Sequence, residues 1–427
     1  MRALYSLLLY LLVPAVVARL AWKGLNDPAY RGRWRERFGH APPGLRPGGL
    51  WVHAVSVGEV LAAVPLVERL LALHPELPIT VTTMTPTGSA RVREQFGDRV
   101  GHCYVPYDLP GAVRRFLIAL RPRAVIVMET EIWPNLLHQC ARRRVPLVLA
   151  NARLSARSFR GYRRIGRLIR AALGGVSAVA AQAQADAERL VALGAPAARV
   201  SVTGSIKFDL EVPDAVPQAA VALRTRCGSR PVWIAGSTHE GEEVRVLEAH
   251  ARLRQRHPDA LLVLVPRHPE RFRAVAELAA QRGFRVARRS GGESPAEADV
   301  YLGDTMGELL LLYAAADVAF VGGSLVPTGG HNLLEPAALG RPVLTGPHLH
   351  NFTLIAELLL EAGAAWQVAD AAELADKVAL LLDDAGRRAG MGDAGQAVVA
   401  RNRGALERLE RLVIEVVERG QPATATG

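Results

Sequence analysis

The sequence lacks the short motifs that mark several large enzyme classes. It has no GxxxxGK[ST] loop, which excludes a P-loop NTPase, and no GxGxxG after an apolar strand, which argues against a dinucleotide cofactor. It also has no HExxH, no D-x-D that would chelate a metal–nucleotide complex, and no G-x-S-x-G turn. We therefore expect neither a resident cofactor nor a metal site.

Cysteine is scarce, and its positions form no recognisable pattern. Cys103, Cys140 and Cys227 have neither CxxC nor zinc-type spacing. This excludes a disulfide framework and predicts free, buried thiols in a reducing compartment.

Negative charge is in deficit, and arginine supplies most of the excess positive charge. The net charge is +11 and the isoelectric point is about 10.2, with 50% hydrophobic and 22% charged residues. Such a chain folds, and its charge favours acidic partners such as nucleic acid, anionic lipid or phosphorylated substrates. No nucleic-acid recognition motif and no interleaving of aromatic with basic residues is present, so we do not expect a nucleic-acid partner.

Charge is also missing from the N-terminus. Residues 3–17 are uncharged and mostly apolar, and six basic residues follow between Arg19 and Arg37. No convincing cleavage site is present, so we predict a retained membrane anchor over residues 1–22, with the rest of the chain on the cytoplasmic side. The run is shorter than the roughly 20 residues of a comfortable span, so its depth in the bilayer stays open. The alternative is a buried helix of the first domain.

The remainder alternates apolar strands with helical patterns, which predicts parallel sheets covered by helices. We predict two Rossmann-like domains, residues 23–213 and 214–420, with a proline-containing linker over 210–218 and a disordered tail at 421–427. The strongest chemistry is then expected in a cleft at the carboxyl ends of the strands. The predicted strands are 50–55, 79–83, 102–105, 124–128, 146–150, 178–181 and 200–203, then 232–235, 261–265, 300–302, 318–321, 342–344 and 364–368.

The segment from Gly322 to Pro347 is the most informative of the chain. Two glycine pairs bracket a loop after an apolar strand, and a polar cluster precedes a short helix that can stop at Gly340. Glycines let backbone amides approach a ligand, and a helix start suits a phosphate. Glu335 could accept hydrogen bonds from ribose hydroxyls. The alternative is a strand-turn-helix joint that binds no ligand.

Carboxylates follow two predicted strands of the first domain. Glu59, with Ser56 and Gly58, follows the first strand, where the helix dipole should keep the carboxylate ionised as a candidate general base. Glu129 and Glu131 follow the fourth strand, where an extended turn would point both to one side. In each case the alternative is a carboxylate that only caps its helix.

Basic residues also follow strands of the first domain. Arg153 and Arg157 lie just past the fifth strand, where they could hold an acidic acceptor or merely form a solvated helix face. Lys207 follows the last strand and could neutralise a phosphate or carboxylate.

The predicted second domain repeats this arrangement. Arg267, after Pro266, suits bidentate phosphate binding, and the turn Met306, Gly307, Glu308 follows the next predicted strand. Each position has a helix cap as its alternative, yet all of them lie at strand ends of one predicted sheet.

A series of motifs in this order resembles a known family. HAVSVGEV, TTMTPTGSARV, METEIWPN, NARLS, GSIKFD, GSTHEGEE, VPRHPERF, GDTMGEL and GGSLVPTGGHNLLEPAALGRPV are similar to segments of the 3-deoxy-D-manno-octulosonic acid (Kdo) transferases of Gram-negative bacteria, glycosyltransferase family 30. The likeness covers nearly the whole chain and implies an inverting GT-B glycosyltransferase on the cytoplasmic face of the inner membrane.

The resemblance also implies substrates and residue roles. The donor would be CMP-Kdo and the acceptor a lipid A precursor, lipid IVA, while the number of Kdo residues added stays open. Glu59 would be the general base, with Glu129, Lys207 and nearby Glu131 supporting the transition state. The residues that would hold CMP are Pro266, Arg267, Met306, Gly307, Glu308, Asn332, Leu333, Leu334 and Glu335. Alternatives are a GT-B enzyme that uses a UDP-sugar, and a membrane-attached anion-binding module with a degenerate site.

Overall fold

The computed structural model describes residues 1–420, so the predicted disordered tail at 421–427 lies outside the described residues. The chain divides into two compact units, each built on a parallel sheet of seven strands. The first unit comprises Met1–Lys207 together with the C-terminal residues from Arg403, and the second comprises Phe208–Asn402. This confirms the predicted α/β class, with two sheets of Rossmann type.

In the first unit the strand order is β3-β2-β1-β4-β5-β6-β7. The strand order reverses at the β1–β4 pair: β2 and β3 are added on one side, and β5, β6 and β7 on the other. Open α/β sheets bind ligands at such a switch point. Strand residues are buried almost throughout because helices cover both faces, except in the edge strands β3 and β7. The strands are β1 (Leu50–His53), β2 (Ile79–Thr83), β3 (Gly101–Tyr104), β4 (Ala124–Met128), β5 (Leu147–Ala152), β6 (Ala178–Ala181) and β7 (Val200–Val202).

In the second unit the order is β10-β11-β9-β8-β12-β13-β14, with the switch at the β8–β12 pair. Alternate residues of β8 enter different cores: Val232 and Ile234 lie on one face and Trp233 and Ala235 on the other. The strands are β8 (Val232–Thr238), β9 (Leu261–Pro266), β10 (Val286–Arg288), β11 (Val300–Leu302), β12 (Val318–Val321), β13 (Val343–Thr345) and β14 (Ala365–Gln367).

The helices connect and cover the strands. Those of the first unit are α1 (Arg2–Asn26), α2 (Trp34–Arg37), α3 (Val57–Leu73), α4 (Pro86–Phe96), α5 (Pro110–Leu120), α6 (Pro134–Arg142), α7 (Ala156–Arg164), α8 (Gly166–Leu173), α9 (Gln184–Leu193) and α18 (Ala405–Arg419). Those of the second are α10 (Ala215–Cys227), α11 (Glu242–Arg256), α12 (Phe272–Gln281), α13 (Leu309–Ala315), α14 (Leu334–Ala338), α15 (Thr353–Glu361), α16 (Ala371–Asp383) and α17 (Ala385–Asn402). Short 3-10 turns lie at Pro28–Tyr30, Gly97–Arg99, Ala197–Arg199, Ile206–Phe208 and Pro269–Arg271.

The predicted strands form with ends that differ by at most three residues, and five of them match at both ends. The sequence analysis missed β10. This strand lies at the sheet edge and is only three residues long, Val286–Arg288. Only two of the three residues are apolar, which is too short a pattern to be recognised as a strand. The predicted linker at 210–218 also differs, because α10 begins at Ala215 and contains Pro217 in its first turn, where proline is tolerated.

The domain boundaries differ from the predicted ones at the C-terminus. Helix α18 belongs to the first unit, where Leu409, Val413 and Val416 are buried in the same core as β1 and α3. The alternation of strands and helices gives no sign of this return, because an amphipathic helix does not reveal which sheet it covers.

Helix α1 extends beyond the predicted anchor to 25 residues. Its most apolar 18-residue window has a mean hydropathy of 2.0 and is 11% buried, so by length and composition it can cross a membrane. One side contacts the first unit: Ser6 Oγ donates to Asn135 Oδ1 at 3.0 Å, and Tyr5 Oη donates to Asp108 Oδ2 at 3.0 Å. The helix is therefore mostly exposed, which contradicts the alternative of a buried core helix.

Candidate active site

Glu59 lies in the first turn of α3, directly after β1. Its Oε2 accepts a hydrogen bond from the backbone N–H of Val55 at 2.8 Å, and its Oε1 accepts from the Ser56 hydroxyl at 3.1 Å. Ser56 is the N-cap, and its Oγ accepts from the backbone N–H of Glu59 at 3.4 Å. This reciprocal arrangement resembles a capping box, so Glu59 does cap its helix. Gly58 lies beside it on the exposed side of the turn.

Capping does not keep Glu59 strongly acidic. Burial raises the pKa of Glu59 to about 7, and the Glu131 and Glu129 carboxylates add to the increase, against the hydrogen bonds from Val55 and Ser56. The direction is opposite to the one expected from the helix dipole, because loss of hydration outweighs it. A carboxylate that titrates near neutral pH can accept a proton from a substrate hydroxyl and release it again.

Glu129 and Asn151 terminate two neighbouring strands in an unusual backbone conformation. Glu129 has φ +55° after β4, and Asn151 has φ +52° at the end of β5. Positive φ at residues other than glycine is strained and concentrates at functional sites. The Asn151 side chain is buried, and its Oδ1 accepts from the backbone N–H of Ile206 at 3.3 Å. Glu129 thus lies directly after β4, at the switch point of the sheet, and Asn151 lies where the register between β5 and β6 shifts.

Glu131 and Glu129 both raise the pKa of Glu59, and Glu129 also raises that of Glu131, so the three carboxylates lie within electrostatic range of one another. Its Oε2 accepts from the Trp133 indole N–H at 2.7 Å, and burial raises its pKa. Trp133 also contacts His53 edge to face at 5.1 Å and is only partly buried. The expected extended turn is not formed, because Glu129 has a left-handed backbone, yet the Glu129 carboxylate still raises the pKa of Glu131.

The Thr130 side chain links the ends of β4 and β5 by hydrogen bonds to the backbone of Arg153. Its hydroxyl accepts from the backbone N–H of Arg153 at 3.0 Å and donates to the carbonyl of the same residue. This places the half-buried Arg153 beside the carboxylates, whereas Arg157 is exposed on α7. The two arginines thus differ: Arg153 belongs to the cluster, and Arg157 lies on a solvated helix face.

Lys207 joins this cluster from the end of the first unit. Burial lowers the pKa of its ammonium group, while the Glu129 carboxylate raises it and Arg153 lowers it further. Electrostatic effects thus link Glu59, Glu129 and Glu131 with one another, and Glu129 and Arg153 with Lys207.

In the second unit, Glu242 organises the loop after β12. Its carboxylate is fully buried in the first turn of α11 and accepts from the backbone N–H groups of Gly323 at 2.6 Å, Ser324 at 3.0 Å and Leu325 at 2.9 Å. It also accepts from the His239 N–H at 3.2 Å. The predicted glycine loop is therefore held by a buried anion of the protein itself.

Three histidines gather beside this loop. The rings of His239 and His331 are stacked at 5.0 Å, with their Nε2 atoms 2.7 Å apart, and His268 meets His239 edge to face at 5.2 Å. Burial lowers the pKa of His331 to about 4, and the neighbouring His239 and Arg267 lower it further. The pair is therefore neutral near pH 7, with one ring donating to the other.

The polar cluster around α14 is partly as predicted. Asn332 Nδ2 donates to Glu335 Oε1 at 3.1 Å, and burial raises the pKa of Glu335. Leu333 and Leu334 are completely buried, so their side chains cannot contact a ligand. The N–H of Leu334 already donates to Asn332 Oδ1 at 3.2 Å, which removes one donor from the helix start that was expected to bind phosphate.

The remaining predicted positions are distributed at strand ends. Arg267, after Pro266 at the end of β9, is exposed, and its charge affects Glu335 and His331. Met306 is 63% exposed in the loop after β11. Gly307 has φ +82°, and Glu308 forms a bidentate ion pair with Arg289 at 2.6 and 3.0 Å. Across residues 1–420, no group of three or more His, Cys, Asp or Glu side chains is arranged to hold a metal ion.

Comparison with known proteins identifies the family of this chain. Residues 32–210 match the family model described as 3-Deoxy-D-manno-octulosonic-acid transferase (kdotransferase). A 3-deoxy-D-manno-octulosonic acid transferase of Haemophilus influenzae is 45% identical over 426 residues, covering 98% of this chain and 99% of the relative. The chain belongs to the Kdo transferase family. It is a glycosyltransferase. The 3-deoxy-D-manno-octulosonic acid transferase of Bordetella pertussis is also similar, at 42% identity over 95% of this chain and 97% of the relative.

Solved structures support the fold. The UDP-GlcNAc 2-epimerase from Neisseria meningitidis superimposes with a TM-score of 0.57 at 13% identity, over 87% of this transferase and 100% of that chain. Anabaena Alr3699/HepE in complex with UDP gives a TM-score of 0.56 at 16% identity, over 87% and 100%. The C-terminal CMP-Kdo binding domain of WaaA from Acinetobacter baumannii is 36% identical over 43% of this chain and 97% of its own, with a TM-score of 0.42. The fold is the GT-B fold.

Sequence reasoning missed two contributors to the transferase site. Glu242 was not singled out. The signal that could have revealed it is the pair Glu242–Glu243 at the start of the helix that follows the segment GSTHEG. Asn151 was overlooked as well, and only its residue type gave a sign, because asparagine tolerates the left-handed conformation better than most side chains.

Proposed function

We propose that this transferase moves Kdo from CMP-Kdo to lipid IVA with inversion at the anomeric carbon. A hydroxyl oxygen of the acceptor attacks C2 of Kdo while the bond from C2 to the phosphate oxygen breaks. The hydroxyl proton passes to Glu59, and CMP leaves as the second product. The product is the Kdo-bearing lipid A precursor of lipopolysaccharide synthesis.

The observation that carries this proposal is that Glu59 combines a raised pKa with a carboxylate held by two hydrogen bonds. A base for a sugar hydroxyl works best when its pKa lies near the working pH, and burial raises the pKa of Glu59 to about 7. Its hydrogen bonds from Val55 and Ser56 fix the carboxylate in one orientation, which an in-line displacement requires. Lys207 supplies positive charge at the same site, and Glu129 and Glu131 orient it and the acceptor.

The second unit supplies the groups suited to CMP. Arg267 suits the phosphate, and Glu335, held by Asn332, suits ribose hydroxyls. Met306 and Gly307 are exposed in the loop after β11, where they can lie against the cytosine ring of CMP. Glu308 is neutralised by Arg289, and Pro266, Leu333 and Leu334 act by shaping the backbone. The reaction as proposed needs neither a resident cofactor nor a metal ion.

The first unit and α1 suit a phosphorylated lipid. In this proposal the half-buried Arg153 contacts an acceptor phosphate, whereas Arg157 stays on the solvated face of α7, and Ser56 and Gly58 form the turn on which the hydroxyl would rest. The apolar α1 with its basic continuation fits an anionic membrane surface, with the protein on the cytoplasmic face of the inner membrane. Nucleic acid is not a partner in this proposal.

The test is transfer from freshly generated CMP-Kdo to tetraacylated lipid IVA, with the products weighed by mass spectrometry. We expect a mass gain of one or more Kdo units and stoichiometric CMP release, which also gives the number of units added. No gain, with the donor lost only by its spontaneous hydrolysis, would overturn the proposal.

Arg267→Ala gives a separate test of the donor site. We expect weaker CMP binding by about tenfold, because one charge-assisted contact to phosphate is lost. Isothermal titration with CMP measures this, and Arg273→Ala on the exposed face of α12 is the matched control. An affinity equal to that of the control would remove Arg267 from the phosphate site.

A further inference from the structure

A cavity of about 380 Å³ lies between α1 and the body of the first unit. On the α1 side it is lined by Tyr5 and by Leu9, Leu12, Val13 and Val16, which are spaced i, i+3, i+4 and i+7 and so form one stripe of the helix. The opposite wall includes Phe38, Ile132 and Trp133. Such a volume with apolar walls is in the range of small-molecule sites.

The cavity reaches Glu131, one of the three carboxylates of the candidate site. Glu131 lines it, and the same carboxylate is close enough to Glu59 to raise its pKa. Trp133 is shared in the same way, since it lines the cavity and donates to Glu131. A molecule that reaches Glu59 with a hydroxyl can therefore place an apolar part in this cavity.

Two carboxylates of the cavity lining, Asp108 and Glu131, accept hydrogen bonds from within the protein. Asp108 Oδ2 accepts from the Tyr5 hydroxyl and from the backbone N–H of Asn135, each at 3.0 Å, and its Oδ1 accepts from Leu136 N–H at 2.7 Å. Glu131 accepts from Trp133. Because most of the lining side chains are aliphatic or aromatic and the Asp108 carboxylate is hydrogen-bonded within the protein, the cavity suits hydrocarbon.

The other side of α1 explains how hydrocarbon would arrive. Leu4, Leu7, Leu8 and Leu11 are each at least 51% exposed, and they turn away from the cavity-lining stripe. A continuous apolar exposed face on a helix is typical of contact with lipid. The half-buried Leu9, Val13 and Val16 face the cavity, and Leu12, which is 54% exposed, lies between them and the exposed leucines. The helix thus has an exposed apolar side and a cavity-lining apolar side.

We propose that this cavity receives one acyl chain of the lipid acceptor and so selects acylated acceptors. The proposal rests on the proposed function, because it assumes that the hydroxyl near Glu59 belongs to a lipid. A chain drawn from the bilayer past α1 anchors the acceptor, while the sugar hydroxyl lies at the carboxylates. The slot acts on binding of the acceptor and takes no part in bond breaking.

The test fills the slot with a larger side chain. In Leu9→Trp and Val13→Trp the indole occupies the space of the acyl chain, and Leu8→Trp, on the exposed side of the same helix, is the control. Each variant is assayed in identical mixed micelles with tetraacylated lipid IVA and with its fully deacylated phosphorylated disaccharide. Unchanged melting temperatures establish that the variants are folded.

We expect the KM for the tetraacylated acceptor to rise about tenfold in both filled variants, with kcat and the KM for CMP-Kdo unchanged. The deacylated acceptor should show no such difference, or should be a poor substrate of the wild type as well. Filled variants that match Leu8→Trp, or that impair both acceptors equally, would overturn the acyl slot. Absence of any Kdo product from the wild-type protein would instead overturn the proposed function.

Discussion

Glu59 caps helix α3 and is also the group we propose as base, two interpretations that the sequence presents as alternatives. The cap hydrogen bonds from Val55 and Ser56 hold the carboxylate, and burial among other carboxylates raises its pKa to about 7. A cap in solvent would instead favour the anion. The conflict is resolved by desolvation, which no local sequence pattern records.

This electrostatic balance predicts a pH effect. Wild-type kcat/KM should rise with pH through about 7, because Glu59 must be ionised to accept a proton. Since Glu131 raises the pKa of Glu59, Glu131→Gln should move this limb to lower pH while a glutamine oxygen can still accept from Trp133. The measurement is kcat/KM of both proteins from pH 5 to 9.

The matched control is Glu68→Gln, which removes a carboxylate that pairs with Arg99 on the surface. Its pH profile should follow the wild type. A limb that stays in place in Glu131→Gln, or moves to higher pH, would show that the carboxylates are not coupled as described.

At the scale of elements, the loop after β12 depends on a single buried side chain. Glu242 accepts from the backbone N–H groups of Gly323, Ser324 and Leu325, while Gly323 has φ +68°. The glycine pairs of this loop were recognisable from the sequence, because their function is local. The carboxylate that holds them lies 81 residues earlier in the chain, so only the fold could reveal the contact.

Glu242→Gln should therefore loosen this loop. An amide has one oxygen where the carboxylate has two, so at least one buried N–H loses its partner, at a cost of about 1–3 kcal/mol in unfolding free energy. Chemical denaturation measures the loss, and backbone amide exchange should accelerate at residues 323–325. Glu248→Gln, on the exposed face of the same helix, is the control, and equal effects in the two variants would contradict this account.

The ends of elements show where prediction from sequence stops. The long apolar strands β1, β4, β8 and β12 were predicted because buried parallel strands carry continuous apolar runs. Strand β10 was missed since three residues at a sheet edge form no such run. The left-handed turns at Glu129 and Asn151 were also missed, because they are imposed by packing and by the hydrogen bonds of Thr130.

At the scale of the whole molecule, the chain crosses between units twice. The first unit ends at Lys207 and is completed by α18 from the C-terminus, where Val413 is fully buried beside β1 and α3 residues. The two sheets were predictable from the alternation of strands and helices. The return of α18 was not, because it depends on tertiary contacts about 200 residues apart, such as the hydrogen bond from Arg408 Nε to the carbonyl of Thr203.

Val413→Ala should consequently destabilise the first unit. Truncation of a fully buried side chain leaves a cavity, and we expect a loss of about 1–3 kcal/mol of unfolding free energy. Proteolysis under mild denaturant should then cleave first within residues 1–207, with the second unit unaffected. Arg411→Ala, exposed on the same helix, is the control; preferential cleavage within residues 208–402 would assign α18 to the other unit.

The central claim is that Glu59 receives the acceptor proton during Kdo transfer. Its most direct test is single-turnover transfer to lipid IVA by Glu59→Gln and wild-type protein, together with CMP affinity measured on the same samples. We predict that the variant loses at least about a hundredfold of the transfer rate and keeps its CMP affinity and fold. Transfer by Glu59→Gln at a rate near that of the wild type would contradict the account.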